Sequence, residues 1–252
     1  NNQILNKIKN KSELIMASNV FAHTDQIDEI TQTVKKILKD KGLFIVEIQY
    51  LLNTLKDYTF DNIYHEHVNY WCLHSLITYF KKFDLQIIDA EKIDTHGGSL
   101  RIYIKKNKKI KIEKSVKDIL KEEDEYGIKD FKTYENFGKQ IYKIKENVKK
   151  NIKKLKKNNK LLIGYGAPAK ATTALNFFGI QEEIAFVVED NKLKHNKFIP
   201  GVKIPIKDKS KITNKKNTLI VLAWNFYKDI KKNNSELSEN FINIKDLEVN
   251  NK

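Results

Sequence analysis

The sequence predicts an α/β protein in which two α/β regions are joined by a helical segment. Short apolar runs alternate with amphipathic stretches of helical period towards both ends of the chain, and a lysine-rich stretch separates the two groups. With 252 residues, 40% of them hydrophobic, the chain can bury the cores of two modest domains. We therefore expect a first domain at 1–108, a helical linker at 109–158 and a second domain at 159–252.

The first region opens with a predicted βαβ unit. Residues 13–18 are a short apolar run that ends in a polar loop, which is typical of a buried parallel strand. Residues 26–40 carry apolar side chains at helical spacing, and Gly42 is expected to end that helix. Residues 43–48 form the next strand, so the crossover is expected to be right-handed. An amphipathic helix is expected near 73–83.

A β-hairpin is expected to close the first region. Residues 85–94 and 100–105 have the pattern of two strands, and Gly97 and Gly98 supply the positive φ angles of a tight connection. The charged stretch that follows has sparse apolar positions and predicts a long helix near 128–157.

The second region has the pattern of a parallel sheet with covering helices. No internal repeat relates it to the first region beyond this shared alternation. Its predicted elements are a strand at 161–163, a helix at 167–178, strands at 184–188 and 219–222, a helix near 225–233 and an edge strand at 241–244.

The net charge of +15 at pH 7 raises the question of nucleic-acid binding. Arg101 is the only arginine, however, and the lysines are spread along the chain. Proteins that read bases and phosphates specifically draw on the bidentate guanidinium of arginine. We therefore expect no specific nucleic-acid partner.

The sequence also lacks the patterns of membrane and secreted proteins. No apolar run is long enough to cross a bilayer, and no signal-peptide pattern opens the chain. Cys72 is the only cysteine, which excludes an internal disulfide and a cysteine zinc cluster within this chain. We expect a cytoplasmic protein without membrane association, and the sequence leaves its oligomeric state open.

Two polar clusters follow predicted strands of the first region. Residues 19–25 include His23, and the other cluster consists of Tyr64, His65, Glu66 and His67. Imidazole titrates near neutrality, and a neighbouring carboxylate can fix its tautomer. Because strand ends in α/β sheets form sites, we expect the clusters to converge, with accidental surface histidines as the alternative. His65 and His67 lack a clear third ligand, so we expect no metal.

A third cluster opens the second region. Gly164, Gly166 and Ala169 stand between a strand and a helix in the spacing of a phosphate-binding fingerprint. Lys170 adds a positive charge at the helix N-terminus, where anions bind. Glu189 and Asp190 follow the next strand, about where a ribose-hydroxyl acceptor is expected. A glycine turn that only packs helix against strand is the alternative.

Together these clusters resemble the sugar C-methyltransferase family, whose members alkylate nucleoside-diphosphate 4-ketosugars at the carbon next to the ketone. The resemblance covers nearly the whole chain in family order and spacing. It implies that the first region is the C-terminal half of a class I methyltransferase (Rossmann-like) sheet with a terminal β-hairpin, and that the second is a Rossmann-like sugar-nucleotide-binding domain. The matching segments are Asn19-Val20-Phe21-Ala22-His23, Ile63-Tyr64-His65-Glu66-His67, Thr95-His96-Gly97-Gly98-Ser99-Leu100-Arg101, Gly164-Tyr165-Gly166-Ala167-Pro168-Ala169-Lys170 and Leu222-Ala223-Trp224-Asn225-Phe226.

The resemblance also implies roles for individual residues. A base removes the proton α to the ketone, and the enolate carbon attacks the methyl group of S-adenosylmethionine. The implied catalytic residues are His23, Tyr64, Glu66 and His67, with His67 or Tyr64 as the base and Glu66 orienting it. The implied cofactor-binding residues are Asn19 and Phe21. The implied substrate-binding residues are Asn19, His96, Arg101, Gly164, Tyr165, Gly166, Ala167, Lys170, Asp190, Trp224 and Asn225. His96 as an ordinary turn residue and Trp224 as a core residue stay open.

Members of the family are longer at the N-terminus, where a cysteine-bound zinc domain precedes the S-adenosylmethionine loop. Neither occurs in this sequence, so we expect an N-terminal truncation without activity of its own, and zinc only in the missing region. Two other functions stay open. One is an NAD(P)-dependent oxidoreductase that uses residues 164–169, which leaves residues 19–23 unexplained. The other is a sugar-nucleotide-binding module without catalysis.

Overall fold

The computed structural model describes residues 12–95, 97–106, 110–157 and 161–249, which fall into two compact units. Unit 1 comprises the described residues of Asn1–Thr59 and His65–Asn136. Unit 2 comprises those of Phe60–Tyr64 and Phe137–Lys252. The segment Phe60–Tyr64 therefore belongs to unit 2, although the residues before and after it in sequence belong to unit 1.

Unit 1 is built on a four-stranded mixed sheet in the order β1-β2-β4-β3. β1 and β2 are parallel, and β4 is antiparallel to both β2 and β3. Its strands are β1 (Ser12–Ser18), β2 (Leu38–Gln49), β3 (Gln86–Ile93) and β4 (Ser99–Lys105). Its helices are α1 (Ile27–Ile37), α2 (Leu51–Lys56), α3 (Leu73–Lys81) and α4 (Lys114–Tyr126). The predicted mixed α/β architecture is confirmed.

Alternation along β2 explains where the core of unit 1 forms. Phe44, Val46 and Ile48 are fully buried, and the residues between them are only partly covered. This period of two directs every second side chain into the core. The rings of Phe21 and Phe80 lie 5.9 and 6.2 Å from that of Phe44, so they extend the core with aromatic contacts.

The predicted end of α1 at Gly42 is wrong. The helix ends at Ile37, because Leu38 is already extended (φ −67°, ψ 135°) and begins β2. Gly42 lies inside β2, where a Cβ would come within 2.7 Å of Leu38 Cδ1. The glycine thus permits a close approach. By contrast, the positive φ angles predicted for Gly97 and Gly98 are confirmed at 88° and 101°.

Unit 2 contains a parallel five-stranded sheet in the order β7-β6-β5-β8-β9. Its strands are β5 (Leu162–Tyr165), β6 (Ile184–Val188), β7 (Ile206–Lys207), β8 (Thr218–Val221) and β9 (Asn240–Asn243), and the helices α6 (Ala169–Phe178) and α7 (Tyr227–Asn233) follow β5 and β8. Both β5 and β8 are buried along their whole length, as apolar strands of a parallel sheet are. Helix α6 begins later than expected from 167–178, because Pro168 is extended and serves as its N-cap.

The lysine-rich stretch between the predicted domains is helical. Its long helix, α5 (Phe131–Lys157), corresponds to the helix predicted near 128–157, and the boundary between the two units falls inside it. The predicted domain boundaries at 108 and 158 stay a prediction. None of the helices in the described part of the chain is both long and apolar enough to cross a membrane.

Candidate active site

The loop after β1 brings two predicted catalytic histidines of unit 1 together. The ring centroids of His23 and His67 lie 4.8 Å apart, with the planes at 67°. Three hydrogen bonds between the described segments hold this arrangement: Val68 N and Asn69 N donate to Ala22 O at 2.8 and 3.4 Å, and the Asn69 side chain donates to Thr24 O at 3.0 Å. The expected convergence of the two histidines is observed, and their catalytic role stays a prediction.

The turn that carries His23 is fixed by the local sequence. Asn19 ends β1 in the left-handed region (φ 55°), and its backbone N–H donates to Glu47 O at 2.8 Å. The N–H of His23 then donates to Val20 O at 3.0 Å and closes a turn. Asn19 and His23 therefore follow the carboxyl end of a parallel strand, which is where ligands bind in α/β sheets.

The other members of this polar cluster are arranged differently from the prediction. Glu66 is exposed, and its Oε1 lies 3.8 Å from Nε2 of His65, whose side chain is more exposed still. The orienting role of Glu66 towards His67 stays a prediction. Sequence reasoning missed Tyr70, whose ring centroid lies 6.4 Å from that of His67. The described residues contain no group of three side chains that could hold a metal ion.

Tyr64 belongs to unit 2, together with the 3₁₀-helix Phe60–Asn62. Within that unit the buried carboxylate of Asp61 accepts a hydrogen bond from Nε1 of Trp224 at 2.6 Å. Trp224 opens a 3₁₀-helix just past the carboxyl end of β8 and is only half-buried. Sequence reasoning missed Asp61, which lies just ahead of the Tyr64–His67 cluster.

Two lysines flank Trp224 at the same edge of the second sheet. Lys170 Nζ lies 4.9 Å and Lys245 Nζ 5.6 Å from the centre of the Trp224 ring, as in cation–π contacts. Burial lowers the pKa of Lys170, Lys245 lowers it further, and Asp61 opposes the shift. Burial likewise raises the pKa of Glu248, which pairs with Lys245 at 2.7 Å. Cationic groups, an indole and a helix N-terminus therefore meet in one cluster.

The glycine loop of unit 2 corrects the expectation for Gly164, Gly166 and Ala167. The N–H of Gly166 donates to Val188 O at 2.8 Å, and that of Ala167 donates to Oε2 of Glu189 at 2.8 Å. Both amides that were expected to face a phosphate thus already have partners. A Cβ on Gly164 would come within 2.9 Å of the side chains of Val187 on β6 and of Leu222 just past β8. Gly164 thus permits close packing between neighbouring strands.

Phe21 and Tyr165 are also corrected. The side chain of Phe21 is 0% exposed and packs in the core of unit 1, so it cannot contact a cofactor as expected. Tyr165 lies in the core of unit 2, and its hydroxyl donates to Asp190 at 3.0 Å. Burial raises the pKa of this phenol, and the nearby Asp190 adds to the shift. Asp190 also pairs with Lys209 at 3.1 Å, so its carboxylate is engaged within the fold.

Arg101 is paired with two glutamates of the first sheet. Its guanidinium donates to Glu47 at 3.0 Å and to Glu91 at 2.9 Å, the residues directly opposite it on the two neighbouring strands. Its substrate-binding role stays a prediction, as does that of the exposed Asn225. The prediction for His96 lies outside the described residues.

Residues 2–90 match the methyltransferase domain family, which agrees with a Rossmann-like methyltransferase sheet in unit 1. Residues 94–243 match the C-methyltransferase C-terminal domain family. Because this second match spans more than half of the chain, the protein belongs to the C-methyltransferase C-terminal domain family.

One curated relative covers most of the chain. The C-methyltransferase NovU of Streptomyces niveus is 33% identical over 232 residues, which are 91% of this chain and 55% of NovU. The chain thus spans about half the length of that relative. Among solved structures, a chain from the complex of the Haloferax volcanii Trm112 methyltransferase activator with a methyltransferase has a TM-score of 0.33 and 12% identity, over 38% of this chain and 54% of that one. A likeness this low supports no structural inference.

Proposed function

We propose that this protein is part of an S-adenosylmethionine-dependent C-methyltransferase that alkylates a nucleoside-diphosphate 4-ketosugar at the carbon next to the ketone. The observation that carries this proposal is the contact of His23 with His67 at the carboxyl end of β1. It is supported by family membership and by the likeness to a C-methyltransferase. Paired imidazoles suit a reaction in which a carbon-bound proton must be removed.

The proposed chemistry begins with proton transfer. His67 or Tyr64 takes the proton from the carbon next to the ketone, and the electron pair of the broken C–H bond forms an enolate. His23, in ring contact with His67, can pass the proton on to solvent because its side chain is exposed. S-adenosylmethionine, when bound, supplies the electrophilic methyl group. Asn19 at the strand end fits a ligand of that cofactor, whereas the buried side chain of Phe21 does not.

The lysine cluster of unit 2 supports an anionic substrate. Lys170 lies in the first turn of α6, and the N-terminus of a helix carries a partial positive charge. Lys245 adds a second cation beside the indole of Trp224, whose face suits a base or sugar ring. We therefore assign the diphosphate to this cluster, with Lys170 replacing the glycine-loop amides that the fold already uses.

Deuterium exchange into the ketosugar tests this function most directly. The complete enzyme is incubated with the nucleoside-diphosphate 4-ketosugar in D₂O without methyl donor, and the carbon next to the ketone is followed by NMR. We expect incorporation with the wild type and a loss on the order of 10²–10⁴ in its rate with His67→Gln. Absence of exchange in the wild type would contradict enolisation.

The nicotinamide alternative has less support. In a dinucleotide-binding turn, loop amides must face the pyrophosphate. Here the carboxylate of Glu189 takes the Ala167 amide and would place a negative charge beside that pyrophosphate. Calorimetric titration with NADH tests this alternative, and we expect no heat of binding.

A further inference from the structure

We propose that Asp61 is a positioning residue that ties the start of the candidate catalytic segment to Trp224. This inference rests on the proposed function, because it assumes that Tyr64 acts on the ketosugar. It concerns only contacts inside unit 2, to which the residues Phe60–Tyr64 and Trp224 all belong.

The hydrogen bond between Asp61 and Trp224 is short and partly buried. Oδ2 of Asp61 accepts from Nε1 of Trp224 at 2.6 Å, and the Asp61 residue is 3% exposed. Its second oxygen, Oδ1, is buried and has no hydrogen-bond partner among the described residues. Burying a carboxylate on a single direct donor is costly. A residue that only packed the 3₁₀-helix would serve better without the charge.

The neighbours of Asp61 hold the same short segment in unit 2. Phe60 is buried, with its ring 4.8 Å from that of Phe177 and 5.4 Å from that of Phe178 on α6. Asn62 is fully buried as well. Three consecutive residues are thus immobilised two residues ahead of Tyr64. Consecutive Cα atoms in a trans-linked chain are about 3.8 Å apart, so Asp61 and Tyr64 are close along the chain. A shift of Asp61 is therefore expected to move Tyr64 as well.

Trp224 connects the segment Phe60–Asn62 to the lysine cluster that is proposed to bind the diphosphate. The indole donates to Asp61 through its nitrogen, and Lys170 lies 4.9 Å from its ring centre. The charge of Asp61 also acts on Lys170. A diphosphate bound by Lys170 would therefore meet the same indole that holds the segment of Tyr64. We infer that substrate binding and the placement of the candidate base are linked through Asp61 and Trp224.

A double-mutant cycle on kcat tests the linkage in the complete enzyme. Asp61→Ala and Trp224→Phe each remove one partner of the hydrogen bond, and we expect each to lower kcat on the order of 10²-fold, as misplacement of a reacting group does. The Asp61→Ala/Trp224→Phe double variant is expected to lose no more than either single variant, because both remove the same interaction. Asp61→Asn keeps an acceptor oxygen and is expected to restore most of kcat.

Controls separate positioning from folding and from the proposed function itself. Asp118→Asn changes an exposed carboxylate on α4 and is expected to leave kcat unchanged. Within residues 1–252 carrying Trp71→Phe, Trp224 is the only tryptophan, and its emission is expected to shift with Asp61→Ala. Additive losses of kcat in the double variant, or a higher KM with unchanged kcat in Asp61→Ala, would overturn the linkage and leave the proposed function standing. Lack of deuterium exchange in the wild type would remove the proposed function and this inference together.

Discussion

His23 and His67, which meet beyond the carboxyl end of β1, have different surroundings from the adjacent His65. This difference can be tested with single variants. His67 is in ring contact with His23, whereas the side chain of His65 is 86% exposed. We predict that His67→Gln lowers kcat on the order of 10²–10⁴, as loss of a positioned base does, and changes KM little. His65→Gln is the matched control in steady-state kinetics. Equal losses in both variants would contradict the assignment.

The lowered pKa of Lys170 leads to a pH dependence of ligand binding. Burial is its main cause, so the ammonium group loses its proton at a lower pH than an exposed lysine. We predict that binding of a nucleoside diphosphate weakens as pH rises through this lowered pKa, and that Lys170→Arg removes the dependence because arginine stays charged. Calorimetric titration across pH measures both. Lys153→Ala, an exposed lysine on α5, is the control, and a pH profile unchanged by Lys170→Arg would exclude Lys170.

At the scale of elements, α4 is held to unit 1 by a carboxylate that sequence reasoning did not find. Glu123 is fully buried and accepts hydrogen bonds from the Tyr50 hydroxyl at 2.8 Å and from the backbone N–H groups of Leu73 and His74 at 2.6 and 3.0 Å. Two of these donors open α3, so Glu123 caps that helix from another element.

We predict that Glu123→Ala lowers the free energy of unfolding by roughly 3 kcal/mol, because it leaves the Tyr50 hydroxyl and two backbone donors unpaired in the core. Glu125→Ala, an exposed change on the same helix, is expected to have little effect. Urea denaturation of both variants measures the difference. A loss in Glu123→Ala no larger than in Glu125→Ala would show that the cap does not stabilise unit 1.

A second carboxylate of α4 makes stability depend on pH. Glu122 pairs with Lys56 at 2.8 Å and Lys92 at 2.7 Å, and the hydrogen bond from Lys56, followed by that from Lys92, lowers the pKa of Glu122. Its contribution is therefore present above the ordinary glutamate pKa and is lost as pH falls through the lowered value. We predict that Glu122→Gln costs about 0.5–1 kcal/mol at pH 7 and nothing in acid. Thermal unfolding at both pH values measures this, and an equal cost at both would contradict it.

The sequence pattern predicted where elements lie better than it predicted which way single side chains point. Strand β6 has its predicted bounds, because a compact apolar run between polar loops leaves little choice of register. The loop with His23 was also located, since it follows such a run, whereas Gly164 lies inside β5 and not in the loop after it. The direction of individual side chains was not predicted: Phe21 and Tyr165 turn into the cores because packing decides which residue of a strand end faces inward. Pattern alone does not contain that information.

At the scale of the whole molecule, the division into units cuts across the order of the chain. Residues Phe60–Tyr64 belong to unit 2 through the packing of Phe60 and the hydrogen bond of Asp61, while His65, Glu66 and His67, which follow directly, belong to unit 1. Asp61 and its partner Trp224 are 163 residues apart in sequence. No local pattern reveals such a pairing, which explains why the predicted domains were continuous segments.

The last prediction concerns what residues 1–252 bind by themselves. We expect weak binding of a nucleoside-diphosphate sugar, because the described residues supply Lys170 and Lys245 beside the indole of Trp224. We expect hardly any binding of S-adenosylmethionine, because the sequence places no glycine-rich loop ahead of β1 and the side chain of Phe21 is in the core. Calorimetric titration with each ligand and with NADH distinguishes these cases, and Lys170→Ala is the control for the sugar nucleotide. Tight binding of S-adenosylmethionine would place its site within these residues. Tight binding of NADH without response to sugar nucleotides would favour an oxidoreductase, although the carboxylate of Glu189 at the Ala167 amide opposes a pyrophosphate there.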